Sequence, residues 1–481
     1  MLLSSLKKYG AFVISFVLFF SVLLLTLIPN FAGDNFNQMR LFLLPILAVL
    51  APLALFLISP YRPNVSGVIM ALLWGLALLP SALLYPNGMV TWLEPLQFAC
   101  FIIIVVCLGF WLAQQENLAQ RVEQVIIALS MVAFIYAVGC LYVYFFALAD
   151  GKPINDDILP WGFLNIRYWS QIASWAIPLL PVAVLAGPLK QYASWRYALY
   201  FTLAIWFWVL LLSTARGSLL ALTVSFIFIL VVFRKAAWPW AKVLLATAVA
   251  GAVLWLVLTN WLPQWLFGDA YVREFSSTSS GRWPLWQEAW AMSLQHFPLG
   301  MGPFSWVSHT AITPFMQHSE RFGHPHHMLL FWAAEYGWLA IMPLLALVVH
   351  AAIRIRQIKQ AEPHQLALLA FFASVVAAIV HSCFSAVFLT PHSLLMGLLV
   401  MTVFWSLLHQ PIKAQRAPAW LSLLFKIMAG FMLVATLLWL QLIAQYTKRY
   451  YYDFEHPEMG FNGVVLPRFF EHSYIPHKDA P

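Results

Sequence analysis

The 481-residue chain predicts an all-α fold: a polytopic bundle of about 12–14 transmembrane helices with one large outer loop carrying short helices. Three observations predict it. The composition is 62% hydrophobic and only 9% charged, too little polar surface for a chain of this size to stay dissolved. The apolar runs reach about 20 residues, the length that crosses a bilayer core. Lysine and arginine gather in alternate connections, as the positive-inside rule requires.

Roughly thirteen spans follow from the hydropathy pattern, near 10–29, 41–59, 66–85, 93–114, 123–149, 168–187, 197–214, 217–233, 243–262, 328–350, 366–389, 392–409 and 421–444. The shortest connections, at 214–217 and 389–392, predict tight helical hairpins. The basic stretches "MLLSSLKKYG", "GPLKQYASWR", "FRKAAWPWAK", "RIRQIKQ" and "PIKAQR" fall on one side when the spans alternate, so the N-terminus is expected inside. Lys448 and Arg449 then begin an outer tail, against the rule. This divides the chain into N-terminal spans 1–262, a large loop 263–327, C-terminal spans 328–444 and a tail 445–481.

Lys7 and Lys8 precede an apolar run longer than a secretory h-region, with no small-residue cleavage site after it, so the first segment reads as an uncleaved span. Cys100, Cys107, Cys140 and Cys383 all fall within predicted spans and read as small buried side chains. The net charge of +8 expresses the inside bias rather than a nucleic-acid patch. No internal repeat, phosphate-binding glycine loop or dinucleotide fingerprint is present in the sequence.

The large loop is longer than a connector requires, and loops of that length commonly carry function. Within it, Trp283, Trp286, Trp290 and Leu294 follow helical spacing, with Pro284 suited to a first turn. Anchoring at the membrane interface explains such a stripe, and a sugar-stacking platform is the sharper alternative.

Three places carry chemistry along the outer half. Arg216, in "LLSTARGSLLAL", interrupts two apolar spans; it either snorkels to headgroups or, given Ser213, Thr214, Gly217 and Ser218 around it, lines a packed site. Arg282 opens the tryptophan helix in "SGRW". His324, His326 and His327 precede a helix beginning near Met328, and Glu335 sits inside that helix. A structural histidine cluster is the plain reading; no cysteine or carboxylate set stands beside it for zinc, so neither metal nor cofactor is expected. Two guanidinium groups and a helix N-terminus suit a diphosphate, and an imidazole suits removal of a hydroxyl proton at neutral pH.

The chain resembles the O-antigen ligase superfamily, which includes O-antigen ligases, pilin O-oligosaccharyltransferases and O-antigen polymerases. His326, His327, Gly337 and Ala340 match the spacing of the ligase histidine–glycine motif, with His327 and Ala340 departing from its usual residue types and Glu335 kept two positions before the glycine. Arg216 in "TARGSLLAL", Arg282 in "SGRW", then "PLGMGPF" and the histidine follow the family's order over about residues 200–345.

The resemblance implies an inverting, metal-independent glycosyltransferase of the GT-C type in a bacterial inner membrane. It would move a glycan from undecaprenyl diphosphate to an acceptor at the periplasmic face, the acceptor being lipid A-core, pilin or a growing glycan. Arg216 and Arg282 would hold the diphosphate, and His326 would act as base or position the acceptor, with His324 and His327 as runners-up and Glu335 in support. Arg167, near Asp156 and Asp157, is a candidate third diphosphate contact; His381 is a second intramembrane candidate, with bonding to Ser382 or Ser385 as the competing explanation. The aromatic tail "YYYDFEHPEMGFNGVV" is a candidate acceptor element. A lipid or glycan transporter is the competing class. Its binding site would lie near the midplane, with internal repeats.

Overall fold

A computed structural model describes residues 2–28, 35–62, 65–86, 91–152, 158–163, 165–268, 281–317, 322–358, 365–409 and 415–455. Asp156, Asp157 and the tail from 456 lie outside these residues. Nineteen α-helices are present among them: α1 Leu2–Leu24, α2 Asn35–Ile58, α3 Val65–Ala77, α4 Leu79–Leu84, α5 Leu93–Ala113, α6 Leu118–Ala149, α7 Ile166–Ala176, α8 Leu180–Leu185, α9 Ala193–Leu212 and α10 Arg216–Phe233. The series continues with α11 Trp238–Leu254, α12 Leu262–Phe267, α13 Arg282–Gln295, α14 Ser305–Ser308, α15 Pro314–Gln317, α16 Met328–Ile358, α17 Gln365–Ser382, α18 Pro391–His409 and α19 Ala419–Glu455.

Among the described residues, twelve helical stretches are long and apolar enough to cross a membrane, which makes this a multi-pass membrane protein. The eighth stretch, Arg216–Phe267, is 52 residues long. A single rod of that length would measure about 78 Å, more than twice a bilayer core. It is broken at Arg234–Ala237, where Arg234 takes φ 51°, ψ −124°, so it supplies the two crossings that the sequence predicts at 217–233 and 243–262. The expected hairpin at 389–392 is instead a longer turn, because α17 stops at Ser382 and α18 starts at Pro391.

The chain forms two compact units. The first comprises residues 1–39, 115–277 and 358–407. Its interior is aromatic: Trp169, Trp175, Trp206, Trp208, Trp240, Tyr136 and Tyr144 are fully buried. Without water to satisfy polar atoms, several of these rings donate to backbone or hydroxyl oxygens. Trp206 Nε1 donates to the Ala133 carbonyl at 3.1 Å, Trp240 Nε1 to that of Pro178 at 2.8 Å and Trp208 Nε1 to Thr259 Oγ1 at 3.0 Å. A π-helical turn at Trp255–Trp261 loosens the ladder there, and the Leu258 carbonyl takes the Tyr144 hydroxyl at 2.6 Å. Gly251 lets α11 approach α9 so closely that a Cβ would collide with Phe207.

The second unit comprises residues 40–114, 278–357 and 408–481. Trp74, Phe98, Trp332 and Tyr336 meet edge to face, with Phe98–Trp332 centroids 5.7 Å apart. Trp439 Nε1 on α19 donates to the Leu93 carbonyl at 3.0 Å. The predicted loop helix exists as α13, packing Leu285, Ala289 and Met292 against Trp306, Met316 and Ala334. Its tryptophans do not form one stripe: Trp286 packs against this core, whereas Trp283 and Trp290 are exposed.

Candidate functional site

In the first unit, Arg216 is the first residue of α10 and Arg167 the second of α7. The Asn165 side chain accepts the Arg167 N–H at 2.9 Å, capping α7. Ser218 contacts His381 and Ser225 Oγ donates to the Ala373 carbonyl at 2.6 Å, so α10 and α17 run antiparallel. Ser174 with His381 and Gln171 with Ser385 set α7 antiparallel to α17 in the same way. α10 therefore begins where α17 ends, α7 runs past that end with its ninth residue, Ser174, beside His381, and α18 starts alongside α7, with Ser393 taking the Trp175 indole N–H at 3.0 Å. Three helix N-termini and two arginines share this end of one helix group. That arrangement favours an anion, because the N-terminal ends of helix dipoles and guanidinium charge have the same sign.

The small residues around Arg216 form a packed wall. A Cβ on Gly217 would lie 3.2 Å from Phe384 Cβ and 3.3 Å from His381 Cδ2, and Ser218 is fully buried. His381, 3% exposed, holds three helices together. Its Nδ1 is 2.9 Å from Ser174 Oγ on α7, and its Nε2 is 3.2 Å from Ser218 Oγ on α10. Those partners differ from Ser382 and Ser385. Ser382 Oγ bonds within its own helix, to the Ile379 carbonyl at 2.7 Å, and Ser385 Oγ accepts from Gln171 Nε2 at 2.8 Å. Gln171 Oε1 also accepts the Thr390 hydroxyl.

In the second unit, the three histidines carry different duties. His327 closes the start of α16: its Nδ1 accepts the Leu330 N–H at 3.3 Å, and its ring meets Trp286 edge-on. Burial holds its pKa below the ordinary 6.5, against the pull of a backbone hydrogen bond. His324 Nδ1 accepts the His326 N–H at 3.1 Å, which leaves its proton on Nε2 when neutral. His326 is buried, with its ring against His324 at 4.2 Å and Phe322 at 5.2 Å. Its φ of 57° is left-handed backbone, uncommon outside glycine.

Glu335 secures the loop that precedes these histidines. Its carboxylate accepts the N–H of Phe304 at 3.1 Å and of Trp306 at 3.0 Å, with the side chain fully buried. Two residues on, Gly337 takes φ 81°, ψ 172° and breaks α16. The break frees the Ala334 and Glu335 carbonyls to accept from Met301 at 2.8 Å and Gly302 at 2.9 Å. A Cβ at Gly337 would collide with the Pro298 carbonyl and the Leu299 backbone, and one at Gly300 would meet the Gly337 nitrogen. The "PLGMG" stretch and the glutamate–glycine pair are thus two halves of one joint.

A second joint involves Glu288 and His309, which the sequence reading had not singled out. Glu288 on α13 accepts from His309 Nε2 at 2.8 Å, Ile312 N at 2.7 Å, Thr313 N at 2.8 Å and the Thr313 hydroxyl. Burial pushes this carboxyl upward, but the bonds from His309, Ile312 and Thr313 outweigh it and hold the pKa at about 2. His309 Nδ1 faces the carbonyls of Ser305 and Trp306, both at 3.0 Å, so each ring nitrogen meets an acceptor. A lone glutamate on a tryptophan-rich helix was the available signal. Arg282 stands at the first position of that helix, half-buried, behind Gly281.

Residues 201–345 match the sequence model of a family described as O-antigen ligase. The matched stretch contains Arg216, Arg282, His324, His326, His327 and Glu335, while Arg167 and His381 lie outside it. No curated protein sequence matches the chain.

Proposed function

We propose, on the premise that residues 201–345 place the chain in the O-antigen ligase superfamily, that it moves a glycan from undecaprenyl diphosphate to an acceptor hydroxyl at the periplasmic face of a bacterial inner membrane. Members of that superfamily are glycosyltransferase-like membrane enzymes. The finer reading is an O-antigen ligase with lipid A-core as acceptor, working without metal or cofactor and with inversion. One observation carries it: the family match runs through Arg216, Arg282 and His326 in a single stretch of sequence.

In this reading the acceptor oxygen attacks the anomeric carbon opposite the diphosphate. The bond from that carbon to the diphosphate oxygen breaks, its electron pair leaves on the diphosphate, and the hydroxyl proton passes to a ring nitrogen of His326. Arg216 and Arg282 offset the charge that grows on the leaving group, the role of preorganised donors in acyl and phosphoryl transfer. Arg167 and the N-termini of α7 and α10 add positive potential beside Arg216. His324, His327 and Glu335 hold the segment that presents His326, and His381 holds the helix that presents Arg216.

The test uses detergent-purified protein with lipid-linked glycan and, in turn, lipid A-core, pilin and a second lipid-linked glycan. Product on lipid A-core supports the ligase. Product on pilin or on the second glycan reassigns it as a pilin O-oligosaccharyltransferase or a polymerase. No product with any acceptor, alongside glycan movement in sealed vesicles, makes it a transporter.

A further inference from the structure

α13 carries large apolar side chains on its exposed face as well as on its buried one. Its buried face carries the carboxylate of Glu288 and the hydroxyl of Ser293 among Leu285, Ala289 and Met292. Its exposed face carries Trp283 at 59%, Trp290 at 50% and Leu294 at 50% exposure, followed by Phe297 at 66%. At 100° per residue the first three lie within about 40° of one another around the helix. The half-buried Gln287 lies along the edge of the same strip. A water-facing helix carries polar residues on that exposed face.

The strip continues onto a membrane span. Trp290 meets Trp338 of α16 edge-on at 5.5 Å, and Trp338 Nε1 donates to Ser293 Oγ at 3.2 Å. Below the Gly337 break, residues 338–358 are about 31 Å long at 1.5 Å per residue, close to a bilayer core of about 30 Å, with Arg354 and Arg356 near the far end. Trp338 stands at the start of that length, and the exposed Leu339, Met342, Leu345 and Val348 follow it along the helix. An apolar face continuous with a span's lipid-facing side, and rich in tryptophan, fits the interface between headgroups and acyl chains.

We infer that α13 lies in the bilayer interface, with Trp283, Trp290, Leu294 and Phe297 among the lipid chains, and holds Arg282 at headgroup depth. The consequence for the donor rests on the proposed function: a diphosphate anchored in the membrane meets Arg282 without leaving the headgroup layer. The occupant of the face is lipid, since a second copy covering α13 would have to displace the lipid lying against α16 as well.

Nitroxide labels on the full chain in lipid nanodiscs test this independently of any transferase assay. Labels are placed by Trp283→Cys, Trp290→Cys and Leu294→Cys in a Cys383→Ser background, since Cys100, Cys107 and Cys140 are buried. Met342→Cys and Gln295→Cys give lipid-facing and water-facing references. Positions 283, 290 and 294 are expected to collide with oxygen like position 342, several-fold more than with a water-soluble nickel chelate, while 295 reads water. Position 294 reading water like 295 overturns the inference, as does position 342 reading water. Dipolar broadening at 290 or 294 from a second copy overturns it in favour of a dimer face. A failed transferase assay leaves these readings intact and sinks only the donor's part.

Discussion

In the first unit a buried histidine, His381, is surrounded by hydroxyls; in the second, His309 faces a carboxylate. The difference follows from the backbone around each. α7, α10 and α17 satisfy their own peptide groups along their lengths, so only side chains remain to be tied together, and hydroxyl groups around an imidazole do that. The segment from Leu299 to Thr313 is mostly irregular, with N–H groups that no ladder takes up. Buried carboxylates supply the acceptors: Glu335 takes Phe304 and Trp306, and Glu288 takes Ile312 and Thr313. Helices in this protein are stitched by hydroxyls, and its irregular loop is stitched by acids.

The comparison breaks most readily at Gly337. Gly337→Ala combines a backbone conformation reserved for glycine with collisions against Pro298 and Leu299, a cost of about 3 kcal/mol or more. Loss of the folded protein on size exclusion is the expected result; normal yield and thermal midpoint would mean the joint is not what holds the loop. Next comes Glu335→Gln, which leaves one of two buried N–H groups facing an amide nitrogen, at about 1–3 kcal/mol. Hydrogen exchange at Phe304 and Trp306 should accelerate in this variant, with α10 and α17 unaffected.

Acid sharpens the contrast between the units. Glu288 is depressed from 4.5 to about 2 in the folded chain, so its contribution is present above 4.5 and disappears as pH falls from there toward 2. The thermal midpoint of the wild type should fall across that window more steeply than that of Glu288→Gln. Parallel curves would remove the carboxylate from the account. The smallest effect is expected for Gly217→Ala, whose added Cβ meets Phe384 and His381 at ordinary-to-tight distances and gains helix propensity. A stability change within about 1 kcal/mol is predicted from the thermal midpoint; unfolding would show the hydroxyl network to be as unyielding as the loop.

The spans were legible because a bilayer leaves long apolar runs no alternative, and most fell within about five residues of the helices, the ends expected at 350 and 389 missing by more. Arg216 was legible for the same reason, since a guanidinium amid apolar residues stands out by its cost. The two joints were not. Glu288 and His309 are 21 positions apart, and the irregular chain between α13 and α14 has no period to read. The partners of His381 sit on helices far away in sequence, 207 positions for Ser174 and 163 for Ser218. Hydropathy locates helices but does not orient them about their axes, so Trp283, Trp286 and Trp290 read as one stripe when they serve two faces. The break at Gly337 was hidden because an apolar run continues through it.

The central claim, that guanidinium groups bind a lipid diphosphate while an imidazole takes the acceptor proton, is tested most directly by measuring donor binding and turnover in the same preparations of Arg216→Ala, Arg282→Ala and His326→Ala. Each arginine variant is predicted to lose about 10²–10³-fold in turnover with weakened donor binding, and His326→Ala to lose turnover while binding donor as the wild type does. Near-normal turnover in both arginine variants, or loss of donor binding in His326→Ala, would contradict it.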